Sequence, residues 1–423
     1  MKILIPTHYF TDDPQSGLNT ELWNFPVHLA AMGHEVFIVT LAVDLVHHTR
    51  QDIYKKNIRL YQIYDYKGHG LAAPEALMVF FFSVLLRLRH RFDWIFIPDA
   101  ARSPFSRYKL GAKLAGRILT PETREMHELF NSGDWKYDRK HKDDGEGISE
   151  PTKPIVYRFF RFLARHVWFR VFPVNLIAEN ADILFCQGLE PLNFARNTGR
   201  NNPVYLPNGV QKAWFDNFGD ARIDTGNKFV FLFVGRIMKS KGVFTLISIF
   251  KQLCDRYQNI ELWIVGPSHG HYTRLLEEAV DGYEDKIKIL GRKNREGVAA
   301  CIRSCDVLVD PFIYASFSNI VLEALYCKKP VIAPRMGDTK DFVKEGVTGY
   351  LADSRNTTEL MKKMEYCINH YSEAEALAVA GHEFVKKNLT VEKIVQHIDF
   401  NFKFFSDTEK VAEMNDAFEC LFK

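Results

Sequence analysis

Two clusters in this sequence combine residue types that bind a diphosphate. In the first, Gly235 closes the apolar run 229–234, and Arg236 and Lys241 stand in the short loop before a helical pattern that opens near Gly242. Two cations beside a helix N-terminus, where backbone N–H groups lack intrahelical partners, form an anion site. The second cluster is the stretch 310–334, DPFIYASFSNIVLEALYCKKPVIAP. It reads as a buried strand end, a polar loop, a helix opening near Ser318 and Asn319, and a second buried strand. Serine and asparagine are good N-caps, so the amides of Ile320 and Val321 face the loop, where an anion can sit. Glu323 lies about one turn inside that helix end. A carboxylate there, beside amides suited to phosphate, is the arrangement a nucleotide needs, with the carboxylate accepting from ribose hydroxyls. The plain alternatives are an acidic residue favoured by the helix dipole and ordinary solvated basic residues.

Other candidates stand alone. His127, in PETREMHELF, falls just after an expected strand on the ligand-facing edge; a structural histidine is the other reading. Gly17 lies in the loop after the first apolar strand, KILIP, but the full G-x-G-x-x-G pattern is missing, which disfavours a dinucleotide-dependent dehydrogenase. Gly266 and Gly291 mark the exits of strands expected over 261–265 and 286–290. Cys301 and Cys305 are one helical turn apart, and His269 and His271 are close in sequence. Neither pair has further ligands at metal spacing, so core packing and a flexible turn are the preferred readings.

These residues need a scaffold, and the hydrophobic pattern supplies one twice. Strand, loop and helix alternate from Lys2 onward and start again at Phe229, after a polar stretch at 219–227. The 423 residues suit two domains, and 47% hydrophobic with 13% aromatic content allows sizeable cores and excludes a disordered chain. A net charge of +3 excludes little. Within the first half, helices are expected over 76–88 and 106–117 and a central strand over 93–98. The apolar 76–88 helix reads as buried core rather than membrane-bound. Residues 131–154 read as a mobile polar excursion. Residues 155–177, IVYRFFRFLARHVWFRVFPVNLI, place Arg158, Arg161 and Arg165 at helical spacing among aromatics, which suits an anionic membrane surface or, equally, a core helix with a solvated edge. Seven scattered cysteines without a Cys-x-x-Cys pair favour a reduced, cytosolic compartment. The N-terminus does not read as a signal peptide, and no apolar run reaches the length of a spanning helix.

With GLNTELW, AAMGHEVFIVT, REMHELF, LPNGV, FVGRIMKSKG, LWIVG, SFSNIVLEAL and KPVIAPRMGDTKDFVKEGVTGYL, the chain resembles the retaining nucleotide-sugar glycosyltransferases of the GT-B fold, in the large group containing bacterial mannosyl-, glucosyl- and galactosyltransferases. The resemblance runs from Lys2 to about Asp353 and is more specific in the second half. It implies an α/β protein of two Rossmann-like, doubly wound domains facing a cleft. Residues 1–217 would hold the acceptor and 218–392 the sugar nucleotide, with the helix 393–423 packing back on the first domain. By motif, Arg236 and Lys241 match the residues that neutralise the donor diphosphate, and Gly17 the loop that approaches it. Ser318 to Val321 match the loop whose amides meet phosphate and sugar, Glu323 the ribose carboxylate, and His127 a histidine near the transferred sugar. No metal and no other cofactor is expected. The implied activity is hexose transfer to a glycan or lipid-linked acceptor in cell-surface polysaccharide assembly. The implied place is the cytoplasm, peripheral on the membrane's inner face, with no nucleic acid as partner. One departure stands out. The family usually has two glutamates separated by seven residues, and the first falls where this chain has Ala315. An impaired or engineered variant, or a non-catalytic nucleotide-sugar-binding subunit, is the alternative that Ala315 raises.

Overall fold

The computed structural model describes residues 1–7, 9–12, 17–45, 48–63, 73–98, 102–103, 105, 108–118, 175–176, 180–197, 199, 202–217, 221–312 and 317–423. They fall into two compact units, one drawn from Met1–Pro121, Ser149–Pro207 and Val391–Leu421, the other from Asn208–Thr390 with Phe422–Lys423.

The first unit contains strands β1 (Lys2–Pro6), β2 (Tyr9–Thr11), β3 (Glu35–Thr40), β4 (Ala42–Asp44), β5 (Ile58–Gln62), β6 (Trp94–Ile97), β7 (Arg102–Ser103), β8 (Lys113–Ile118), β9 (Asn175–Leu176), β10 (Ile183–Cys186) and β11 (Pro203–Tyr205). Seven of them make one sheet in the order β11-β10-β8-β6-β1-β3-β5, every neighbouring pair parallel. β2 pairs with β4 and β7 with β9 outside it. Runs such as WIFI of β6 and ILFC of β10 are buried at every position, as expected for strands of a parallel sheet covered on both faces. The sheet contains β8 where the sequence suggests a helix over 106–117. Alanine, leucine and lysine favour a helix locally, but pairing with β6 and β10 buries Leu114 and Ala115 completely, and that tertiary gain overrides propensity. The polar excursion expected at 131–154 lies outside the described residues, as does nearly all of the basic aromatic segment 155–177.

The chain's last two long helices, Val391–Lys403 and Thr408–Cys420, belong to this first unit. Phe402 stacks on Trp94 with ring centroids 4.4 Å apart, His34 Nε2 and Asp399 Oδ1 are 2.7 Å apart, and Arg196 donates two hydrogen bonds to Glu419 at 2.9 and 2.7 Å.

The second unit repeats the plan with β12 (Phe229–Val234), β13 (Ile260–Val265), β14 (Ile287–Gly291), β15 (Val307–Val309), β16 (Val331–Pro334) and β17 (Tyr350–Ala352). They form a parallel sheet ordered β14-β13-β12-β15-β16-β17. Its core joins Phe231, Phe233, Ile264 and Val309 to Leu246 and Phe250 of the helix Val243–Cys254. The expected boundary after 217 falls earlier. The turn at Asn208 and the helix Lys212–Asn217 go with the second unit, because the Val210 N–H donates to Leu389 O at 2.8 Å and Arg303 donates to Phe215 O.

Phe402 is 2% exposed and fills the face of Trp94. Phe402→Ala should lower the stability of the first unit by about 3–5 kcal/mol, read as an earlier urea transition in tryptophan fluorescence; an unmoved transition would show that the C-terminal helix contributes nothing to this core.

Candidate functional site

A parallel sheet brings the carboxyl ends of all its strands to one edge. In the second sheet the strand order reverses between β12 and β15, the switch point beside which doubly wound sheets form their ligand crevice. The loop after β12 carries Gly235, Arg236 and Lys241; the loop after β15 carries Asp310, Pro311 and Phe312.

Glycine permits the close approach of these loops. Gly242 has φ +69° and a β-carbon there would lie 1.9 Å from Pro311 O; Gly266, at the exit of β13, has φ +149° and its β-carbon would lie 1.8 Å from Gly235 O. Any other residue would force the backbones apart. The Gly235 N–H donates to Val265 O and the Ile237 N–H to Pro267 O, fixing the start of the loop on β13. Lys239–Lys241 form one 3₁₀ turn, and the helix Val243–Cys254 begins beyond Gly242 with no side-chain cap.

Lys241 is partly buried, with its Nζ 3.6 Å from the centre of the Phe312 ring, which in turn packs edge-on to Phe233. Burial lowers its ammonium to about 8, with Asp310 pulling the value up and Arg236 pushing it down. Asp310 is 3% exposed. Burial pushes its carboxyl up to about 6 against the opposing pull of the Ser318 hydroxyl, Lys241 and the Phe312 N–H. Among the described residues no well-formed hydrogen bond closes on either carboxylate oxygen or on the buried Ser318 Oγ. A buried polar group left unmet costs about 1–3 kcal/mol, so this corner has hydrogen-bonding capacity that a polar ligand can use.

Ser318 is the N-cap of the helix Asn319–Tyr326 but makes no side-chain capping bond. The Asn319 Oδ1 accepts from Asn208 Nδ2 at 2.6 Å, which ties the PNGV turn to the start of this helix. Glu323, one turn on, is largely buried with its Oε1 3.7 Å from Arg295 Nη1. Burial raises its pKa and Arg295 opposes the rise.

Gly235, Arg236, Lys241, Gly266, Ser318, Asn319, Ile320, Val321 and Glu323 thus all come from the loops leaving β12, β13 and β15 and from the helix that follows β15. Gly17 is the first residue of the helix Gly17–Ala31 in the first unit. His127 and Ala315 lie outside the described residues. Sequence reasoning gave no role to Asp310, Phe312, Asn208 or Arg295. An acid closing a wholly apolar strand marked Asp310 in advance; nothing in the pattern marked Phe312. Cys301 and Cys305 are buried, and burial pushes both thiols up, which suits core packing.

The two parallel sheets are those of the GT-B fold: HepE of Anabaena, solved in complex with UDP, superposes with a TM-score of 0.67 at 15% identity over 95% of this chain and 100% of that one. Residues 219–384 match the family described as glycosyl transferases group 1. An uncharacterised glycosyltransferase of Methanocaldococcus jannaschii is 30% identical over 228 residues, covering 54% of this chain and 61% of that protein. The capsular polysaccharide biosynthesis glycosyltransferase CapM of Staphylococcus aureus is 24% identical over 184 residues, covering 42% of this chain and 47% of that protein. The chain thus spans less than two thirds of either curated relative.

A diphosphate placed beside Lys241 favours its charged form. Affinity for inorganic pyrophosphate should therefore be highest below pH 8 and fall as the pH rises through about 8, where the free protein's Lys241 gives up its proton. Calorimetric titrations at pH 7 and pH 9, repeated with Lys241→Gln, check this: the variant should bind weakly at both, and a pH-independent parent would remove Lys241 from the site.

Proposed function

We propose that this chain is a retaining glycosyltransferase that moves a hexose from a nucleoside-diphosphate sugar to a glycan or lipid-linked acceptor, in polysaccharide assembly. The observation that carries the reading is Lys241, with its ammonium over Phe312 and beside Asp310, in the switch-point crevice of the unit that matches the group 1 family. Structures of HepE in complex with UDP and with UDP-glucose support a nucleotide-sugar ligand, and the likeness to CapM supports a polysaccharide product.

In this reading Arg236 and Lys241 meet the diphosphate, the first amides of the helix Asn319–Tyr326 meet phosphate and sugar, and Glu323 accepts from the ribose. Gly17 and His127 keep the roles that the family resemblance implies for them. The bond from the sugar's anomeric carbon to the diphosphate breaks as negative charge grows on the departing oxygens. The acceptor hydroxyl then forms the new glycosidic bond on the same face and passes its proton to the departing diphosphate oxygen. Catalysis is preorganised electrostatics, with cations already in place where charge develops, and it calls for no metal. The protein works in the cytoplasm, peripheral to the membrane where its acceptor is lipid-linked.

Ala315 favours a second reading, a nucleotide-sugar-binding subunit without transferase activity. It stands where the family has a carboxylate that holds sugar hydroxyls or supports the reacting face.

A thermal-shift screen against UDP-, GDP- and ADP-sugars identifies the donor, after which two variants test the reading. Lys241→Ala should reduce turnover by about 10²–10³, or roughly 3–4 kcal/mol of barrier, without unfolding the protein; near-normal turnover rejects the assignment. Ala315→Glu should raise transfer if the chain is an impaired enzyme. Donor binding with no transfer in either form would favour the binding subunit.

A further inference from the structure

The helix Ala73–Arg87 joins β5 to β6 in the first unit. Val79 and Phe80 are buried, Ser83 is fully buried and donates to Val79 O, and Leu86 is buried, all on the side that meets the sheet and its core. Its other side is apolar as well. Met78 is 44% exposed, Phe81 38%, Leu85 59% and Leu88, just past the helix end, 81%. Steps of three, four and three residues put these four side chains on one narrow face. A face of that width with four large apolar groups in water exceeds the scattered single residues that need no explanation.

The surroundings of this face are basic. Arg89 and Arg91 follow the helix and are exposed. Burial first, then Arg59, Lys2 and Arg89, depress the pKa of His90, which sets these three cations around the same turn. Two acids stand nearby, Glu35, which pairs with Lys2 and Arg59, and Asp93, which accepts from the Lys2 amide, so the four cations Lys2, Arg59, Arg89 and Arg91 outnumber them. Lys2 and Arg59 stand at the starts of β1 and β5, so the patch lies at the amino edge of the first sheet, opposite the edge on which doubly wound folds bind ligands.

We propose that this exposed face, together with the basic turn that follows it, is a docking surface for an anionic phospholipid bilayer. The apolar stripe enters the acyl boundary while Arg89, Arg91 and their neighbours meet lipid phosphates, as amphipathic interfacial helices do. Charge decides against a second copy of the chain. A two-fold contact would set this patch against itself and bring its cations together, whereas an anionic bilayer complements both its apolar and its basic part. The helix cannot span: among the described residues no helix is long and apolar enough to cross a membrane. The proposal deepens the reading of a membrane-proximal acceptor and rests on it only for what the docked enzyme would reach.

The test uses the full chain and vesicles of phosphatidylcholine, with and without about one third phosphatidylglycerol. The parent should co-sediment with the anionic vesicles and bind the neutral ones at least about tenfold more weakly. Leu85→Glu/Leu88→Glu and Arg89→Glu/Arg91→Glu, all at exposed positions, should each cut anionic binding by about tenfold or more. UDP affinity measured alongside should be unchanged in both variants. Failure of the parent to bind any of UDP, GDP and ADP would count against the transferase reading alone. Three results overturn the docking surface: no vesicle binding by the parent, binding that neither variant weakens, or binding lost only on reversing Arg158, Arg161 and Arg165. Sedimentation equilibrium covers the remaining occupant, since a dimer that Leu85→Glu/Leu88→Glu dissociates would make this face a contact between copies and overturn the proposal as well.

Discussion

The Lys241 ammonium rests 3.6 Å over the Phe312 ring, in surroundings dry enough to bring its pKa down to about 8, and the site in the second unit depends on its being held there. A lysine on a flexible stem would ordinarily keep its charge in water. Here the 3₁₀ turn that carries it is pressed by Gly242 against Pro311 O, with no room for a β-carbon, and Phe312 follows directly in the same chain. The contact that brings the two loops together therefore also brings the cation to its aromatic seat. Charge held in a low-dielectric corner acts on an anion far more strongly than the same charge in water, and it needs no reorganisation when the anion arrives.

Parallel topology explains where this could happen. Within a doubly wound sheet, only neighbours whose connections run in opposite directions leave a gap between their exit loops. In the second unit those neighbours are β12 and β15. In the first sheet the corresponding reversal lies between β1 and β6, and the helix that opens at Gly17 follows β1 and β2. The opposite, amino edge of the first sheet has no such gap. It carries strand starts and helix ends, and Lys2, Arg59 and Arg89 gather there instead.

The alternation of strand and helix, the parallel sheets and the edge that carries Arg236, Lys241 and Glu323 were readable in the sequence, because buried parallel strands are continuous apolar runs and functional loops follow their ends. The strand Lys113–Ile118 was not. Its residues favour a helix when taken alone, and only β6 and β10, distant in sequence, make it a strand. Phe312 was also hidden: an aromatic two residues past a strand end is most often core, and its role comes from a lysine some seventy positions earlier. The helix Ala73–Arg87 was misjudged in a third way. An apolar stretch on all sides reads as buried, and the sequence does not say that only one side of this helix meets the sheet.

The site sets three cations, Arg236, Lys241 and Arg295, against two acids, Asp310 and Glu323, a surplus of one positive charge. Their environments decide where that surplus lies. Glu323 faces Arg295 at 3.7 Å, so these two largely cancel. Asp310 is buried, and burial brings its pKa to about 6 against the pull of the Ser318 hydroxyl and Lys241. Arg236 is exposed at the loop that follows β12. Lys241 remains mostly charged below pH 8, and a bound diphosphate raises its pKa further. Asp310 thus offsets Lys241 as Arg295 offsets Glu323, and the charge left to meet an anion is that of the exposed Arg236.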